Sequence, residues 1–293
     1  MVSEVATPDG RRLTYLEVGD PAGPLVLHNH GGPSSRLEAR LFSDAALGQG
    51  VRFVCIDRPG MGGSTAQRPR TYAGWADDLL TVADALGRQT FGVTGWSEGG
   101  PWALAAAAHL DPARLRHVSS IAGGSYGAFG DNWAARYLSR IDALGGTLAL
   151  RFRPGFRLMY AALGLSARRF RASFAKQIRA GVNDYDREVL SRPGVESAFC
   201  DTCAECFAHG SAGLVRDAEL LYRRWSFDVG AIQRPVHMWQ GTDDLLVPAV
   251  INRTVADAMP GAVWHQVEGA GHFVAVGSAD DILGVAAAEL GAP

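Results

Sequence analysis

Phe91-Gly-Val-Thr-Gly-Trp-Ser97-Glu-Gly-Gly100 is the stretch from which the fold is read. Residues 90–94 have the character of a short buried strand, and Pro101-Trp-Ala-Leu-Ala-Ala-Ala-Ala-His109 that of an Ala-rich helix. Gly95-x-Ser97-x-Gly99 lies between them, in the strand–turn–helix setting where a G-x-S-x-G serine is held up as a nucleophile. The demand is steric. A serine at so tight a turn takes strained backbone angles, and side chains two residues to either side would collide. Gly95, Gly99 and Gly100 remove those collisions. The helix that follows aims its free N–H groups back at the serine, where negative charge would develop during acyl transfer.

Outward from this unit the pattern repeats. Arg11-Arg-Leu-Thr-Tyr-Leu-Glu-Val18 alternates as a half-buried strand, and Pro24-Leu-Val-Leu-His-Asn29 and Val51-Arg-Phe-Val-Cys-Ile56 are apolar enough to be buried on both faces. Helices are expected at 35–47 and at 75–86, the second with Gly87 as its C-cap. Downstream come strands at 117–122, 235–240 and 263–267 and helices at 248–258 and 280–290. Strands alternating with helices predict an α/β fold, a mostly parallel sheet with helices on both faces. Between 125 and 232 the alternation stops, and helices are expected instead at 131–144, 168–180 and 211–225. The predicted organisation is a core of residues 1–124 and 233–293 interrupted by a helical cap of residues 125–232. Because the cap leaves and re-enters the core at strand ends, it should roof the place where open α/β sheets bind ligands.

Composition bounds the answer. The 293 residues, 47% hydrophobic, suit one sizeable core with an insertion. A net charge of −2 gives no global field that calls for nucleic acid. The opening Met1-Val-Ser-Glu-Val-Ala has neither a basic n-region nor an apolar h-region, and no apolar run approaches a membrane span. A cytoplasmic protein without integral membrane association is therefore expected. Four cysteines do not make a disulfide framework in a chain of this length.

A serine hydroxyl needs a base to take its proton, and the base needs an orienting carboxylate. Two strand ends downstream supply them. Trp239-Gln-Gly-Thr-Asp243-Asp244-Leu-Leu-Val-Pro248 places two carboxylates in one turn, and Glu268-Gly-Ala-Gly-His272 places a histidine in a glycine loop. The order Ser97, Asp, His272 is that of the α/β-hydrolase triad.

At this point the sequence resembles an α/β-hydrolase-fold serine hydrolase, nearly end to end apart from the insertion. His30-Gly-Gly-Pro33 resembles the family's oxyanion loop and Asp57-Arg-Pro-Gly-Met-Gly-Gly-Ser64 its D-x-P-G-x-G-x-S turn. Gly95-Trp-Ser-Glu-Gly99 resembles the nucleophile turn, Gly241-Thr-Asp-Asp244 the acid turn, and Gly271-His272 the base loop. The resemblance implies catalytic Ser97, Asp244 and His272, with Asp243 a solvated neighbour. It also implies an oxyanion hole of the Gly32 and Glu98 backbone N–H groups, since Pro33 has none. The implied activity is a cofactor-independent serine esterase working through an acyl-enzyme on Ser97. The same triad serves carbon–carbon hydrolases, thioesterases and cofactor-free haloperoxidases, and a receptor-like ligand binder can retain it. Haloalkane dehalogenases and epoxide hydrolases of this fold place Asp where Ser97 stands.

The remaining features read as structural. Cys200-x-x-Cys203-x-x-Cys206-x-x-His209 loses about 60° of a helical turn per step, so its ends face apart and no metal site is expected. His30 is expected to anchor its loop by hydrogen bonds. The Glu98 side chain is expected to point away from the oxyanion, which an anion would disfavour. From Arg136 to Arg179 nine Arg and one Lys face a single acid, Asp142, as a solvated helical face. Trp133, Phe152, Phe156, Phe170 and Phe174 are expected in the core of the cap. The expected partner is a small or medium hydrophobic acyl substrate; the sequence leaves the oligomeric state open.

Overall fold

Strand and helix alternate here because each buried strand needs cover on both faces, and the result is one eight-stranded sheet. A computed structural model describes residues 3–291. Residues 1, 2, 292 and 293, which the sequence reading counts with the core, lie outside the described residues. The strands are β1 (Ser3–Ala6), β2 (Arg12–Gly19), β3 (Leu25–Asn29), β4 (Arg52–Ile56), β5 (Phe91–Trp96), β6 (Leu115–Ile121), β7 (Val236–Gly241) and β8 (Ala262–Val267). Their order across the sheet is β1-β2-β4-β3-β5-β6-β7-β8. β2 runs antiparallel to both of its neighbours, and every other pairing is parallel.

The helices of this layer are α1 (Ser43–Gly48), α2 (Tyr72–Ala85) and α3 (Gly99–His109). Six more, α4 (Arg140–Arg151), α5 (Arg153–Arg169), α6 (Arg171–Ala180), α7 (Asp184–Ser191), α8 (Val195–Cys206) and α9 (Ala212–Tyr222), lie between β6 and β7. The chain ends with α10 (Ala249–Ala258), α11 (Val274–Gly277) and α12 (Ala279–Gly291). Side chains alternate along each strand, so one sheet presents two apolar faces. Leu27, Val54 and Val93 pack with Trp75, Leu79 and Trp102 on one face. Val26, Phe53 and Cys55 pack with Phe42, Ile282 and Leu283 on the other. The interposed helices have a core of their own around Phe156, Phe174, Cys203 and Leu214. No helix among the described residues is long and apolar enough to cross a membrane.

Some boundaries differ from the sequence reading. Residues 35–47 form a 3-10 segment, Arg36–Phe42, that runs into α1 rather than one helix. The helix expected at 131–144 begins only at Arg140, because the Ser139 hydroxyl accepts the Asp142 N–H at 3.2 Å and starts a new helix there. A short 3-10 turn, Trp133–Tyr137, precedes it. Edge strand β1 and helices α5, α7 and α11 have no counterpart in the sequence reading. Cys200, Cys203 and Cys206 are buried along α8, while His209 lies beyond its end and is exposed. Of the aromatic residues expected in the core of the cap, Phe156 and Phe174 are buried, but Phe152 and Phe170 are exposed.

α12 is tied to the sheet by hydrogen bonds from two histidines. His117 Nδ1 and His237 Nε2 meet the two oxygens of Glu289 at 2.6 and 2.9 Å. The two rings stack 24° apart with centroids at 5.1 Å, so they present donors side by side to one carboxylate. Hydrogen bonding from His117, with help from His237, lowers the Glu289 carboxyl to about 2 from an ordinary 4.5. A depressed carboxylate stabilises the fold above its unfolded value, and that stabilisation is lost as pH falls through the folded one. Glu289→Gln should therefore destabilise the protein near neutral pH. In urea unfolding, the gap from wild type should close as pH drops from above 4.5 toward 2. A gap independent of pH would mean that ionised Glu289 is not the anchor.

Candidate active site

The left-handed backbone of Ser97 organises the site. Its φ is 54°, a region that costs a non-glycine residue about 1–3 kcal/mol unless its surroundings impose it. They do. The Ser97 N–H donates to Ile121 O at 2.9 Å, and Ser97 O accepts from Gly100 and Gly124 N–H at 3.0 and 2.8 Å. A Cβ on Gly95 would meet Gly99 O at 2.2 Å, and one on Gly99 would meet Asn29 O at 2.0 Å. No side chain fits at either position. β5 and α3 thus hold Ser97 out at the carboxyl end of the sheet.

The loop after β3 closes against this turn. A Cβ on Gly31 would stand 3.6 Å from Ser97 Cβ. Arg58 N–H donates to His30 Nε2 at 3.1 Å, which leaves the His30 proton on Nδ1 to donate to Gly31 O at 2.8 Å. The Arg58 guanidinium also donates to His30 O and Gly31 O. His30 is therefore an anchor of the loop, as its position suggested. Gly31 N–H is occupied by the Glu38 carboxylate at 3.1 Å. Among the described residues, the N–H groups of Gly32 and Glu98 have no acceptor. Asp57, from the D-x-P-G turn, braces the region by accepting from Arg36 N–H, Thr14 Oγ1 and Gly63 N–H.

His272 Nδ1 lies 2.9 Å from Asp244 Oδ2, and both residues are buried. The acid turn aims Asp244 inward, because its Oδ1 accepts the Leu246 and Val247 N–H groups at 2.8 and 2.9 Å. Gln240 Nε2 adds a contact to Oδ2 at 3.3 Å. Asp243 is exposed, so of the two carboxylates it is Asp244 that faces the histidine. Burial pulls the His272 imidazole down, but the Asp244 carboxylate outweighs it, with Asp186 and Glu38 adding to the pull, and its pKa lies above 6.5. Ser97 and His272 line one cavity of about 250 Å³, although no hydrogen bond joins their side chains among the described residues. Such contacts often close only when substrate is bound.

The interposed helices clamp these loops, which the sequence reading missed. Asp186 of α7 accepts the N–H groups of His272 and Phe273, both at 2.8 Å. Asn183, the N-cap of α7, donates to Gly269 O and Asp243 O at 3.1 and 3.3 Å. Asp217 of α9 pairs with buried Arg58 and Arg70, each at 2.7 Å. Thr202 of α8 accepts Ser35 N–H at 2.9 Å. No local motif marks these residues; only their partners, distant in sequence, reveal them.

Glu98 departs from expectation. Its side chain does not leave the site but lines the same cavity as Ser97, close against Gly32. The chain around Gly32 has no Cβ, and the carboxyl fills that space: a Cβ there would lie 2.1 Å from Glu98 Oε2. Burial raises the carboxyl to about 7, against the pull of Arg58. At about 7 the carboxyl is only part-ionised near neutral pH, so it brings less than a full negative charge to the space beside Ser97. The cavity's other walls include Tyr126, Tyr160, Phe199 and Tyr222. None of the five aromatic residues singled out in the sequence lines it.

Comparison with known proteins agrees with this architecture. A family model described as alpha/beta hydrolase fold matches residues 24–278. No curated protein sequence matches the chain significantly. Among solved structures, an esterase from Exiguobacterium antarcticum superposes with a TM-score of 0.69 at 16% identity, covering 100% of both chains. An alpha/beta hydrolase fold protein from Nakamurella multipartita gives 0.69 at 24% identity, covering 99% of this chain and 98% of its own. A bromoperoxidase from Bacillus anthracis gives 0.68 at 18% identity, covering 99% of each.

The Asp186 clamp has a measurable consequence. Its charge helps raise the His272 imidazole through space, while its hydrogen bond is to the His272 backbone and not to the ring. Asp186→Asn should lower the His272 pKa in an NMR titration, by less than Asp244→Asn does, and should speed amide exchange at His272 and Phe273. Unchanged exchange at those amides would show that α7 does not hold the loop.

Proposed function

The chain belongs to the α/β-hydrolase fold family, and from that membership and its site we propose that it is a cofactor-independent serine hydrolase cleaving an ester or related acyl bond. The observation that carries this reading is the 2.9 Å contact of His272 Nδ1 with Asp244, in a cavity shared with a serine held at φ 54°. Ser97 is the nucleophile, His272 the base and then the acid, and Asp244 the orienting carboxylate. Residues 125–232 act as the cap that roofs the site, and the remainder acts as the core.

The reaction follows from the geometry. Asp244 accepts the Nδ1 proton of His272, which leaves Nε2 as the acceptor for the Ser97 hydroxyl proton. Ser97 Oγ attacks the substrate carbonyl, and the new oxyanion takes the unoccupied N–H groups of Gly32 and Glu98. Each such donor is worth about 3 kcal/mol in the transition state. Collapse of the tetrahedral adduct breaks the bond to the leaving oxygen, which receives the proton from His272. Water, deprotonated by the same imidazole, then attacks the acyl-enzyme and releases the acid. The protonated fraction of Glu98 does not oppose the oxyanion beside it. A cavity of about 250 Å³ with aromatic side chains in its wall suits a small or medium acyl substrate rather than a polymer.

Three measurements test the roles. Ser97→Ala should abolish labelling by a fluorophosphonate probe and abolish ester turnover with the fold intact; turnover at the wild-type rate would end the proposal. Asp244→Asn should lower kcat by about 10⁴, as when other triads lose their carboxylate, whereas Asp243→Asn should change it little. For a neutral ester, kcat/KM should fall on the acid side as His272 gains a proton. Because the folded pKa is raised, that limb should lie above 6.5. A profile flat through that range would rule out the histidine as base.

A further inference from the structure

The cavity over Ser97 carries three acids, and its one basic side chain is His272. Glu38, Glu98 and Asp142 line it, and among the described residues no Arg or Lys does, although arginines crowd the interposed helices. Arg153, Arg157 and Arg216 line a separate, larger groove instead, together with Arg12, Arg68 and Arg70. Two of the three acids are already engaged. Glu38 accepts from Ser34 Oγ and Gly31 N–H and meets His28 Nε2 at 2.8 Å. Asp142 accepts the Ser139 hydroxyl at 2.6 Å.

Glu98 is different. Its Oε2 is buried with no hydrogen-bond partner. Arg58, the cation that acts on it most strongly, is itself committed to Asp217 and to the carbonyls of His30 and Gly31. With no free cation to hold the charge, burial keeps the carboxyl up at about 7. Around it stand three tyrosines. Tyr126 and Tyr222 stack at 5.2 Å and 14°, and the Tyr160 hydroxyl interacts with the carboxyl itself. A carboxyl with one oxygen unpartnered, set among aromatic rings in a cavity that no Arg or Lys lines among the described residues, is complementary to one kind of group. An ammonium gains from the rings and from the carboxylate together. An anionic ligand would be repelled by the acids, and a purely apolar one would leave the Glu98 oxygen unpaired.

We infer that Glu98, walled by Tyr126, Tyr160 and Tyr222, is a subsite for a protonated amine carried by the substrate close to its scissile carbonyl. The word substrate rests on the serine-hydrolase reading above; the affinity of the cavity for an ammonium does not. Glu98 follows the nucleophile and abuts Gly32, so a carbonyl seated on the Gly32 and Glu98 N–H groups puts only a short chain within reach of the carboxyl. The preferred substrate class is therefore an ester whose amine lies a few bonds from the carbonyl. Pairing with the cation favours the carboxylate, so Glu98 gives up its proton to solvent when the amine binds. The charge near the oxyanion is then balanced within the ligand.

The test is calorimetric binding of n-butylammonium, 1-butanol and butyrate to the wild-type protein and to Ser97→Ala, which needs no turnover. Butylammonium should bind with 1:1 stoichiometry about tenfold more tightly than butanol, and butyrate more weakly than either. Glu98→Gln should remove the preference for ammonium over alcohol. It should also lower the kcat/KM ratio of an amino-substituted ester to its alkyl isostere by about tenfold. If butylammonium binds wild type no better than butanol, the inference is wrong, whatever the folding of the variant. It is equally wrong if the preference survives Glu98→Gln in a protein with wild-type circular dichroism. A Ser97→Ala protein that keeps both turnover and ammonium preference would overturn the serine-hydrolase reading and leave the subsite standing.

Discussion

Everything in the site is referred to one residue held in a backbone conformation it would not choose. Ser97 sits at φ 54°, and the turn persists because strands and helix approach too closely for it to relax. Gly95 and Gly99 allow that approach, since a Cβ on either would overlap a backbone carbonyl. The strain is local, while the restraints come from β3, β5, β6 and α3 together. A serine in an ordinary helix start would point along the sheet surface rather than into the cavity above it.

Around this fixed point the chain uses the same chemical group in opposite ways. Asp244 accepts from Leu246, Val247, Gln240 and His272, and so serves as a permanent acceptor that orients the imidazole. Glu98, next to Ser97 in the chain, has an oxygen without any partner and a carboxyl lifted to about 7. The first is charge held in place by donors; the second is charge withheld by burial. In the second condition a carboxyl close to Ser97 brings less charge than a free carboxylate would.

The interposed helices also hold the loops of the core. Their buried polar residues reach down to the loops: Asp186 to the backbone of His272, Asn183 to the turns on either side, Thr202 to Ser35 and Asp217 to Arg58. Arg58 in turn grips the carbonyls of His30 and Gly31, so a helical carboxylate helps set the loop that bears Gly32. Substitutions in these helices should therefore act on the geometry of the site as well as on its shape. Among the described residues, three of the ten basic side chains of the Arg136–Arg179 stretch are ion-paired, as Arg153–Glu219, Arg171–Asp201 and Arg179–Glu196, and none of the ten lines the cavity over Ser97.

Sequence alone determined the α/β architecture, because buried parallel strands and the helices between them obey local periodicity and local turn chemistry. It also singled out Ser97, Asp244 and His272, since each lies in a short glycine-rich turn whose spacing is itself informative. The choice of Asp244 over Asp243 came from the resemblance, and the fold gives it a physical basis in the N–H groups of Leu246 and Val247. Tertiary structure decided the rest. Asp186, Asn183, Asp217 and Thr202 lie in ordinary helical sequence, and their partners are up to 167 residues away, so no window along the chain contains both halves of the interaction. The cavity wall was equally hidden: Tyr126, Tyr160 and Tyr222 line it while Phe152 and Phe170 face solvent, because helix orientation in the interposed segment depends on packing between helices. The direction of the Glu98 side chain belongs with these, since it is set by the empty space beside Gly32, a residue on another strand's loop.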